Sequence, residues 1–106
     1  MANRNEKIEE ILRDLGARFL LVNGNNSSLL TVTRVELTRD GKRATIFFTV
    51  FPEDLEKTAI EFAKRKRSEF KEFVKENSKL GRIPLVDFEI DSGEKNRQRI
   101  DTLLNQ

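Results

Sequence analysis

The chain has 106 residues, with 20 Lys and Arg against 18 Asp and Glu, a net charge of +2 and a pI of about 9.1. That length fits one domain over 1–106, and a content of 37% apolar and 36% charged residues predicts a thin core under a heavily solvated surface. Cys and His are both absent, which removes thiol chemistry, zinc ligation and every Ser–His or Cys–His nucleophilic scheme, and leaves carboxylate-based chemistry as the formal enzymatic route.

Ile8, Ile11, Leu12, Leu15, Phe19 and Leu20 recur at helical spacing, which predicts a helix over 5–21 capped by Asn3 or Asn5. Val22 to Ser28 is rich in Asn, Gly and Ser and reads as a loop. β-Branched residues over 29–38 predict a first strand, and a second follows over 43–51. In the second, Ala44, Ile46, Phe48 and Val50 alternate onto a core face. Asp40-Gly41 between the two is a hairpin signal, because Gly supplies the positive φ such turns need.

Pro52 ends that strand and opens a helix pair over 53–66 and 67–79. The apolar stripe Leu55, Ala59, Ile60, Phe62 and Ala63 fails across Lys64-Arg65-Lys66-Arg67-Ser68-Glu69 and resumes at Phe70, Phe73 and Val74, which predicts a kink at a basic elbow. A third strand is expected over 84–91, with Val86, Phe88 and Ile90 toward the core and Asp87 and Glu89 toward water. Asp91-Ser92-Gly93 reads as a turn before a helix over 94–104 that aligns Ile100, Leu103 and Leu104. The expected fold is α+β in the order α-β-β-α-α-β, a three-stranded sheet with helices on one face and a short C-terminal helix.

Positive charge is concentrated rather than abundant. Lys64, Arg65, Lys66, Arg67, Lys71, Lys75, Lys79 and Arg82 face only Glu69, Glu72 and Glu76, so residues 64–82 carry +5 and the rest about −3. Such asymmetry suits a phosphate backbone, and these eight residues are the candidate RNA contacts. An ordinary solvated helix face has the same spacing of Glu and Lys. On a continuous helix, Lys64, Lys71 and Lys75 would share a stripe with Arg67 beside it.

Other candidates are fewer. Phe47 and Phe51 lie on the far face of the second strand, either open to a base or partner or covered by the first or last helix. Asp87, Glu89 and Asp91 alternate as hard-cation ligands would, and equally as a solvated strand face does. No phosphate-cradling glycine motif is present. No metal, cofactor or small-molecule substrate is expected. With no apolar run of membrane-spanning length and no signal-like stretch from Met1 to Glu9, the protein is expected to be cytoplasmic.

The element order is that of the type II KH domain, with the elbow where a nucleic-acid-binding KH domain keeps its GXXG loop. No glycine pair at that spacing exists here. Leu30-Thr31-Val32-Thr33-Arg34-Val35-Glu36-Leu37-Thr38-Arg39-Asp40 followed by Ala44-Thr45-Ile46-Phe47-Phe48-Thr49-Val50 resembles bacterial ribosome-binding factor A. So do the later segments Arg82-Ile83-Pro84 through Phe88 to Asp91, and Arg99-Ile100 with Leu103. Lys66-Arg67-Ser68 stands where that family has an Ala-x-Gly kink, Asn23 to Ser28 replaces its Asp-Pro-Arg loop, and Gly93 replaces its Ser after the strand-three Asp. The chain is thus similar to a divergent member.

The resemblance implies a monomeric, cytoplasmic, non-catalytic protein that binds the small ribosomal subunit and 16S rRNA late in assembly and assists maturation of the RNA's 5′ end. Two rival readings come from the residues alone. One is a general RNA- or single-strand-binding KH module, and the other is a protein-interaction domain with an incidental basic helix.

Overall fold

The computed structural model describes residues 4–24 and 28–104. Helix α1 runs Arg4–Asn23, strand β1 Leu29–Leu37 and strand β2 Arg43–Phe51. A 3-10 turn, Glu53–Leu55, leads into α2 (Glu56–Arg65), then α3 (Arg67–Asn77), β3 (Leu85–Ile90) and α4 (Ser92–Leu104). The α+β fold with a three-stranded sheet is therefore present, in the order expected. Strand β2 is central, antiparallel to β1 and parallel to β3.

The core follows the apolar stripes. Ile8, Leu12, Leu15, Phe19 and Leu20 of α1, Ala44, Ile46, Phe48 and Val50 of β2, and Ala59, Ala63, Phe70, Val74 and Phe88 form one buried cluster. Four phenylalanines chain through it: Phe19 meets Phe70 at 5.2 Å, Phe70 meets Phe88 at 5.5 Å, and Phe88 meets Phe48 at 6.4 Å. Offset and edge-on rings favour each other beyond the area they bury. This chain of rings ties α1, α3 and β3 to the central strand. At Gly16, α1 approaches the sheet so closely that an added Cβ would stand 3.1 Å from Ile46 Cδ1.

Helix α1 extends two residues past the expected end, taking Val22 and Asn23 from the loop, and Asn23 Nδ2 donates to Phe19 O. Asn5 lies inside the helix, not at its cap; Asn3, and the loop residues Asn25 to Ser27, lie outside the described residues. Helix α4 begins at Ser92, two residues before the expected start. The reason is Asp91, whose Oδ1 accepts the Glu94 N–H at 3.0 Å. That is the first half of an Asp-x-x-Glu capping pattern, and it draws Ser92 and Gly93 into the first turn. Ile100 is more than half exposed, so it forms no core stripe; the side chains of Leu103 and Leu104 lie outside the described residues.

The hairpin closes as its residues require. Gly41 has φ +72° and donates its N–H to Thr38 O at 2.8 Å. Asp40 Oδ1 accepts from the Lys42 N–H and the Thr38 hydroxyl. Replacing Gly41 with Ala places a Cβ in the left-handed region and is expected to cost about 1 kcal/mol, read as a lower urea midpoint at unchanged m-value.

Candidate nucleic-acid interface

The basic elbow exists, and it is made without glycine. Lys66 alone separates α2 from α3, with φ −93° and ψ 6°, the sparsely allowed region between strand and helix. Its N–H is shared by Phe62 O and Ala63 O at 3.2 Å each, and its carbonyl accepts from Phe70 N at 2.8 Å. The turn of direction therefore leaves the backbone of Lys66 fully bonded. Its ammonium lies 3.3 Å from Glu69 and 6.0 Å from the Phe62 ring centre.

Because the helix breaks, the expected stripe divides. Lys64 belongs to α2, and on α3 the aligned cations are Arg67, Lys71 and Lys75 at four-residue intervals. Lys79 and Arg82 follow on the connection to β3. Arg65, Lys71, Lys75, Lys79 and Arg82 are exposed and carry no ion pair among the described residues. Of these, Lys71 and Lys75 stand one turn apart on α3 and form a free cationic ridge.

Lys64 and Arg67 are different. Both reach Asp87 Oδ1, Lys64 Nζ at 3.0 Å and Arg67 Nη1 at 3.2 Å, and Arg67 Nε also donates to Lys64 O at 2.9 Å. Asp87 was expected to face water; instead it is half-buried against the elbow. Burial pushes its carboxyl up, but the bonds from Lys64 and the Phe88 N–H and the charges of Lys64 and Arg67 outweigh that and hold it below the usual carboxylate range.

Beside the elbow lies an open groove of about 520 Å³. Arg67, Ser68 and Lys71 of α3 form one wall, Arg43 and Thr45 of β2 part of the other, and Asp87 of β3 joins the lining. Arg43 was missed from sequence. It reaches the groove because β2 and β3 pair in parallel, which sets it opposite Leu85. Only its place two residues after the hairpin glycine hinted at exposure.

The far sheet face is mixed. Phe51 is 73% exposed, so no helix covers it. Phe47 is half-buried, with the Arg34 guanidinium 3.8 Å above its ring centre. Arg34 also pairs with Glu36 and, at 3.2 Å, with Asp91. Asp91 is buried and accepts the Thr33 hydroxyl at 2.6 Å. Thr33 is presented by the register irregularity between Val32 and Arg34. Burial raises the Asp91 carboxyl, but Thr33, the Glu94 N–H and Arg34 together bring it below the usual range. With Asp87 and Asp91 turned to different partners, the three acids of this segment form no cation site; among the described residues no group of three acids could hold a metal.

A family model described as ribosome-binding factor A matches residues 3–104. The chain belongs to the ribosome-binding factor A family. Ribosome-binding factor A of Geotalea daltonii is 32% identical, covering 100% of this chain and 89% of the relative. That of Neisseria gonorrhoeae is 26% identical over 99% of this chain and 86% of its own length. A crystal structure of ribosome-binding factor A from Thermus thermophilus superposes with a TM-score of 0.72 at 21% identity, covering 83% of this chain and 97% of that one. A Thermus thermophilus homology model of this factor, fitted into a cryo-EM map of its complex with the 30S subunit, gives 0.69 at 23% identity, covering 78% and 90%. The divergence expected from the elbow and loop residues is thus real, and the fold is retained across it. Among the described residues no helix is long and apolar enough to cross a membrane.

Proposed function

We propose that this protein binds the small ribosomal subunit through 16S rRNA and assists late maturation of that subunit in the cytoplasm, as a monomer and without catalysis. The observation that carries this reading is the pair of exposed, unpaired cations Lys71 and Lys75 one turn apart on α3, of which Lys71 lines an open groove together with Arg43. Family membership supplies the ribosomal partner, since a relative has been fitted to a 30S complex. Lys and Arg on exposed stems suit phosphate contact, which positions a protein on RNA without reading bases. Arg65, Lys79 and Arg82 are further exposed candidates for contact, and Lys64, Lys66 and Arg67 are candidates that each hold an acidic partner in the free protein.

Co-sedimentation with isolated small subunits through a sucrose gradient tests the reading. At low salt the protein should travel with the subunit, and it should be released as salt rises, because each neutralised phosphate returns its counterions. A protein that stays at the top of the gradient while still binding free RNA would be a general KH-like RNA binder. One that binds neither would use α3 for a protein partner.

A further inference from the structure

We propose that Asp87 is an internal competitor for the RNA backbone, holding Lys64 and Arg67 closed until phosphate displaces it. This inference rests on the RNA-binding reading above and concerns how the same site is regulated. The geometry carries it. A single oxygen, Asp87 Oδ1, accepts from Lys64 Nζ, Arg67 Nη1 and its neighbour's Phe88 N–H, the last at 2.9 Å. The backbone bond fixes the carboxylate at the end of the groove where α2 gives way to α3. Arg67 is fastened twice, to β3 through Asp87 and to the last turn of α2 through Lys64 O.

These two cations are therefore not equivalent to the free ones on the ridge. In the unbound protein one carboxylate already fills the place a phosphate oxygen would take. The three side chains are 40–48% exposed, so the pairs face solvent and exchange readily. A phosphate offers Arg charge-assisted bonds at least as good as those of a carboxylate. It must, however, arrive already held by other contacts, because Asp87 is tethered beside the two cations while a free anion loses translational freedom on binding. Arg43 and Lys71, which line the same groove as Arg67 and Asp87, provide those contacts. The device thus favours a continuous polyphosphate strand over an isolated anion, and it keeps part of the elbow's charge hidden from small free anions.

Asp87→Asn keeps the acceptor for the Phe88 N–H and removes the charge. With isolated small ribosomal subunits as the probe, it should tighten binding by about tenfold at ~0.1 M salt and steepen the slope of log affinity against log salt by about one. Asp87→Ser should give the same gain by a different side chain. Arg67→Gln should cost less than about twofold in the native background and about fivefold or more beside Asp87→Asn, a coupling that independent sites do not show. Equal costs in both backgrounds, or weaker binding by Asp87→Asn, would overturn the inference and leave the RNA-binding reading standing. If neither the native protein nor any variant binds the subunit, both fall.

Discussion

Reversing Lys71 and Lys75 together, as Lys71→Glu with Lys75→Glu, is expected to weaken binding to the small subunit by roughly 30-fold, or about 2 kcal/mol. Both residues are exposed on α3, and neither has an ion-pair partner among the described residues to lose. Glu is as good a helix former as Lys, and only Lys75, in the last turn of α3, gives up a favourable place at the helix terminus, so stability should fall by no more than about 1 kcal/mol. The salt slope should fall by about 1.4 if two phosphates of a single strand are released. Lys7→Glu with Lys57→Glu alters net charge equally, on α1 and the first turn of α2. That pair should cost less than about threefold. Similar losses from both pairs would mean that only global charge matters and would remove the site from α3.

Lys71 and Lys75 were legible in the sequence because a local run of charge with helical spacing is all the argument needs. The break at Lys66 was legible too, since the apolar stripe has no member from Lys64 to Glu69. What escaped is what tertiary pairing decides. The alternation of β3 puts Asp87 on the face opposite Phe88, and that is as far as a period of two can go. That the elbow lies against that strand, so that Lys64 and Arg67 meet Asp87, follows from the packing of α2 on β3. Arg43 enters the groove for the same reason, through the parallel register of β2 and β3. Phe47 required knowing that Arg34, thirteen residues earlier, sits opposite it across the hairpin. Asp91 is the exception: the Asp-x-x-Glu spacing to Glu94 was present in the sequence and marked a helix start.

Asp91→Ala is expected to cost about 3 kcal/mol and lower the melting temperature by roughly 10–20 °C. The substitution removes two interactions. One is the cap on the Glu94 N–H, worth about 1 kcal/mol. The other is a buried carboxylate that accepts from Thr33 and Arg34 at once, bonds stronger than neutral ones. Asp91→Asn separates them, since Asn caps a helix well but brings no charge to Arg34; it should cost about half as much. Acid sharpens the distinction. The folded carboxyl titrates below its ordinary value, near 3.9 in an unfolded chain. Its contribution is therefore complete above about pH 4 and disappears as pH falls through the folded pKa. Urea unfolding from pH 6 to pH 2.5 should show the native protein losing more stability than Asp91→Asn over the acid end of that range. Parallel curves for the two would mean that the charge of Asp91 does not hold β1, β3 and α4 together, and that the cap alone accounts for its place in the fold.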